Sequence, residues 1–130
     1  MSSDADGYLA VYQEHSKVLR TWLVAYGIAA PVLLMTHEVL LGKVILSRCA
    51  VLIAGLFLCG VVLQVVLAAT NKAAMWGLYY GETNPAFKST RAYALADRFS
   101  AMFWIDLLVD WVSLGVFGAA TWLVVRAVLV

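Results

Sequence analysis

Asp106 and Asp110 stand four residues apart, and Ser113 and Phe117 continue that spacing at steps of three and four. On a helix this arrangement places two carboxylates, a hydroxyl and a ring on one face. The stripe sits at the start of a long apolar run, where a carboxylate is expensive and therefore faces a partner, a cavity or a pore. Two chemistries fit. Copies of this face from several subunits would ring a cation-selective entrance. Alternatively, both acids lie at the membrane interface and pair with Arg20, Lys72 or Arg98.

Glu38 is a further candidate for an ion-interacting ring, and it follows His37 directly. Adjacent residues on a helix point about 100° apart, so the two do not face each other. His37 admits a proton-sensitive gate or a haem ligand; the plainer reading has both residues hydrogen-bonded in the interface, with Glu38 offset by Lys43 or Arg48. Haem held by two histidines needs a second one at matching depth. The only other histidine, His15, precedes the first apolar stretch, which excludes that arrangement within one chain.

Arg20, Lys88, Arg91 and Arg98 are the candidates for a cytoplasmic basic site that would take an anionic regulator, such as a nucleotide or a phosphorylated ligand. No glycine-rich phosphate loop accompanies them. The competing reading of Lys17, Arg20 and Trp22 is an anchor on anionic lipid.

No exposed cysteine–histidine pair, nucleophile elbow or histidine pair one turn apart is present, so catalysis, a metal and a cofactor are not expected. Cys49 and Cys59 lie ten residues apart on one apolar stretch, roughly 15 Å along a helix, too far for a disulfide. A formal net charge of +1 offers nothing to nucleic acid.

The elements that must position these residues are set by composition. Of the 130 residues, 64% are hydrophobic and 13% charged, against about half and a quarter in soluble domains. Between Arg48 and Lys72 about 23 residues pass without a charge, enough to cross a bilayer as a helix at 1.5 Å per residue. Similar stretches flank it. The expected fold is an all-α integral membrane protein, one membrane domain over residues 1–130. It has crossings at about 19–41, 46–70 and 104–129, an amphipathic N-terminal helix over 1–18, and a loop or stalk over 71–100.

Tyr8, Tyr12, His15 and Leu19 mark one face of the N-terminal helix. Pro31 should bend the first crossing, because it lacks a backbone donor and crowds the preceding turn. A short turn at Gly42-Lys43 would make the first two crossings a hairpin. Ala50, Ala54, Gly55, Cys59 and Gly60 allow close helix approach, and Gln64 is the one strongly polar residue inside the second crossing. Gly81-Glu-Thr-Asn84-Pro85 signals a turn. The second helix should therefore protrude to about Tyr80, and a third helix of more than 40 residues should run from near Pro85 to the end. The result is a cytoplasmic helical-hairpin extension of helices 2 and 3.

Lys17, Arg20, Lys72, Lys88, Arg91 and Arg98 flank one side, against Lys43, Arg48 and Arg126 on the other. That bias favours a cytoplasmic N-terminus and an external C-terminus. The acidic opening Met1-Ser-Ser-Asp-Ala-Asp lacks the basic start of a cleavable leader.

The run Tyr12-Gln-Glu-His15-Ser16-Lys-Val-Leu19-Arg20-Thr21-Trp22, followed by Ala25-Tyr26-Gly27 and Ala30-Pro31-Val32-Leu33-Leu34, resembles the start of a group of small bacterial membrane proteins. It covers about a quarter of the chain. Proteins of this kind serve as membrane effectors in anti-phage defence, oligomerising and permeabilising the inner membrane. The resemblance implies a multi-pass inner-membrane location and a homo-oligomeric channel or pore, since three crossings alone cannot enclose an aqueous path. The alternative is a non-enzymatic anchor or scaffold subunit of a larger complex, with a cytoplasmic protein as partner. A respiratory quinone or haem anchor of similar size would require a second buried histidine, which the chain lacks.

Overall fold

A computed structural model of the chain describes residues 2–129 as six helices and no strand: α1 (Ser2–Thr36), α2 (Glu38–Leu46), α3 (Ala50–Thr83), α4 (Pro85–Lys88), α5 (Arg91–Ala101) and α6 (Phe103–Leu129). Three of these are long and apolar enough to cross a membrane, over Ala10–Thr36, Ala50–Thr83 and Phe103–Leu129. Their outer faces are densely apolar: Trp22, Val51 and Trp111, one on each, are 70%, 86% and 65% exposed. Such a surface suits a lipid environment.

Helix α1 runs unbroken through Pro31, and the interruption falls six residues later at His37. There the backbone is extended, and the His37 N–H reaches Leu34 O at 3.4 Å. The expected turn at Gly42-Lys43 lies inside α2 instead; the chain reverses at Ser47–Cys49. Arg48 takes a left-handed conformation there, φ 57°. Ser47 Oγ donates to Val44 O and accepts from the Cys49 N–H, closing the turn. Lys43 Nζ donates to Val128 O at 2.6 Å, which binds α2 to the carbonyl end of α6 and complements its dipole.

Helix α3 is the central element, packed by α1 and α6 in the crossing and by α5 beyond it. At 34 residues it is about 51 Å long, well over the roughly 30 Å hydrocarbon core, so it must project from the lipid. It stops at Asn84, whose side chain accepts the Ala86 N–H and starts α4 with Pro85 in the first turn. The single third helix of more than 40 residues is not formed. Thr90 caps α5 by accepting from the Tyr93 N–H, which separates it from α4. A second break at Met102 separates α5 from α6. These two breaks let α5 lie back on α3, with Tyr93 over Gly81 and Ala96 against Gly77.

The core joins Leu23, Val44, Ile53, Phe57, Phe117 and Ala120. Phe117 is its pivot: its ring lies 5.9 Å from that of Tyr26 and 6.1 Å from that of Phe57, one on each neighbouring helix. A Cβ at Gly27 or Gly60 would stand 2.7 or 2.5 Å from this ring, so only glycine admits it from either side. Tyr26 Oη and Thr121 Oγ1 share a hydrogen bond of 2.6 Å beside the cluster.

Candidate functional site

The acidic stripe of α6 faces the interior of its own chain. Asp110 is 5% exposed, Ser113 0% and Phe117 2%. Helical spacing alone accounts for their sharing a face; what decides its direction is a set of polar partners on the other two crossings.

Arg20 of α1 reaches both acids. Its Nη2 lies 2.9 Å from Asp106 Oδ2, and its Nε donates to Asp110 Oδ1 at 3.5 Å. Two amides of α3 complete the set: Gln64 Nε2 donates to Asp110 Oδ1 at 3.1 Å, and Asn71 Nδ2 donates to Asp106 Oδ1 at 3.1 Å. Gln64 and Asn71 are seven residues apart, about two turns of α3, against about one turn between the two carboxylates on α6. Antiparallel α3 and α6 therefore meet in two polar rungs, with Arg20 lying across both.

In the bilayer this network is a structural clamp. Taking a charge out of water costs several kcal/mol per ion, and attraction compensates only when lone pairs and N–H bonds are met. Asp110 Oδ1 meets that condition through one guanidinium and one amide. Two buried atoms nearby do not: Gln64 Oε1 and Ser113 Oγ have no hydrogen-bond partner. The Asp106 side chain retains 23% exposure and opens the cluster toward the membrane edge.

The other candidates are dispersed. Glu38 begins α2, where its charge suits the positive end of the helix, and neither Lys43 nor Arg48 pairs with it. Arg20 belongs to the clamp. Lys88 ends α4 and pairs with Glu82 at 2.9 Å; hydrogen bonding to that carboxylate and its charge hold the ammonium pKa above its ordinary value. Arg91 and Arg98, both exposed, stand about 10 Å apart along α5. The four cations thus do not converge on one anion site.

Gln64 and Asn71 are the network residues that sequence reasoning left without a role. Their signal was present: two amides at a seven-residue interval on an apolar helix, opposite two carboxylates at a four-residue interval. Among the described residues no group of three or more histidine, cysteine, aspartate or glutamate side chains could hold a metal.

Fold and site together define a multi-pass, all-helical membrane protein whose three crossings are tied by a buried ionic network. No known family model, curated protein or solved structure matches the chain.

Proposed function

We propose that this chain is a non-enzymatic anchor or scaffold subunit of the bacterial inner membrane, with its N-terminus and the α3–α5 hairpin on the cytoplasmic side. One observation carries this reading. Asp110, the most deeply placed acid, is 5% exposed and bonded to Arg20 and Gln64 of the same chain. The groups best suited to guide ions are consumed in closing the bundle. What remains for interaction is the hairpin beyond the lipid, which carries exposed Trp76, Tyr79 and Leu95. A cytoplasmic protein is the partner this hairpin suits.

A homo-oligomeric channel, including a membrane-permeabilising defence effector, is the second reading. Added Cβ atoms at Gly55, Gly115 and Gly118 would meet nothing within 4 Å, so these helix faces are open to close approach by another copy. Asp106 and Glu38 are then the acids accessible to a path between copies. Reconstitution of the purified chain into liposomes loaded with a cation-sensitive dye, with oligomer mass measured in parallel, separates the two. A tight membrane is the outcome expected of an anchor. Leak together with a discrete oligomer would overturn it in favour of the channel.

A further inference from the structure

Between α1, α3 and the Met102 break lies an open groove of about 1010 Å³ that reaches from the membrane edge down to Gln64. Its walls are largely apolar, formed by side chains such as Val24, Val65 and Ala68. Its ionisable lining is unbalanced, with Lys17, Arg20 and Lys72 against Asp106. Arg20 and Asn71 both reach Asp106. Lys17, one turn before Arg20, and Lys72, next to Asn71, therefore stand at the same bilayer edge. Both are exposed, and neither forms an ion pair among the described residues.

Arg20 is already engaged, its Nη2 2.9 Å from Asp106 Oδ2 and its Nε on Asp110 Oδ1, which leaves Lys17 and Lys72 as the groove's cations without a carboxylate partner among the described residues. An open groove in a bilayer is filled by lipid, so the question is which headgroup its chemistry selects. The geometry points to a binding site for one anionic phospholipid, its phosphate between Lys17 and Lys72 and an acyl chain along the α1–α3 wall. Phosphate supplies the acceptor that the two ammonium groups lack. This inference requires only that the chain crosses the membrane; it is independent of the anchor and channel readings.

The test is native mass spectrometry of the full chain in detergent micelles titrated with phosphatidylglycerol or phosphatidylcholine. Wild type should retain phosphatidylglycerol about thirtyfold more strongly, the effect expected of two lysines acting on one headgroup. Lys17→Gln with Lys72→Gln should abolish that preference. Both side chains are exposed, so folding is spared. Ala68→Trp keeps every charge but fills the groove, and should remove binding as well, whereas Lys88→Gln should leave it intact. Equal retention of the two lipids overturns the proposal. So does wild-type binding by Ala68→Trp, or equal loss with Lys88→Gln, since either result means diffuse attraction rather than a site.

Discussion

Arg20 and Asp110, 90 positions apart in the chain, meet through Nε and Oδ1 at 3.5 Å, and the same oxygen takes the Gln64 amide at 3.1 Å. The relationship joins all three crossings at one atom. Removing the cation alone leaves Asp110 charged in an apolar interior and Asp106 without its cation at the membrane edge. Arg20→Gln should therefore destabilise the bundle by about 3–5 kcal/mol, the cost of stranding a buried charge. Adding Asp110→Asn should return part of that loss, because it neutralises the more deeply buried carboxylate while Asp106, 23% exposed, keeps its charge at the membrane edge. Denaturation of the four members of this cycle in bicelles measures the coupling. Additive losses would mean that the contact contributes nothing.

Phe117 makes a second, apolar junction. Gly60→Ala would drive a Cβ to 2.5 Å from its ring. Overpacking of this kind costs about 1–3 kcal/mol. Phe117→Leu, which shortens the obstructing ring, should rescue it in part. Gly55→Ala serves as the matched control on the same helix, since its Cβ enters open space and gains helix propensity. Thermal melts of the four variants in micelles decide the matter; equal effects at Gly55 and Gly60 would show that helix propensity, not packing, is being read.

The legible parts of this fold were those with long-range periodic signals. Uncharged length marks the crossings because a bilayer imposes about 20 residues on each, and the Asn84-Pro85 turn is local chemistry that the sequence carries openly. The acidic face of α6 was legible as a face, and Arg20 as one of its possible partners. Its direction was not, since that depends on which surface of α3 turns toward it, and Gln64 and Asn71 decide this only once the helices are docked. The breaks were missed for a different reason. A bend was expected at Pro31 and reversal at Gly42-Lys43, both on residue type. In a bilayer a helix continues through such residues when neighbours pack around it, and the observed breaks at His37 and Met102 contain no glycine or proline.

Arg48 offers a test of the α2–α3 turn. Its φ of 57° suits glycine, and a side chain there costs about 1 kcal/mol. Arg48→Gly should raise stability by up to that amount, while Arg48→Val, with a branched Cβ, should lower it. The comparison is made by denaturant titration of both variants against wild type. Stabilisation by valine would place the reversal elsewhere than Ser47–Cys49.

Three crossings put the α2–α3 turn on the side opposite the N-terminus and the hairpin, and the distribution of basic residues sets the expected orientation. Six flank the N-terminal and hairpin side, against three at the other, so the hairpin should lie in the cytoplasm. In a background with Cys49 and Cys59 replaced by alanine, Leu46→Cys and Leu95→Cys report the two sides; these positions are 82% and 71% exposed. A membrane-impermeant maleimide added to intact spheroplasts should label Leu46→Cys at once and Leu95→Cys only after lysis. The reverse pattern would invert the topology and place the hairpin, with any partner it holds, outside the cell. Labelling of both before lysis would mean that the crossings do not separate these positions, and the three-span arrangement itself would fall.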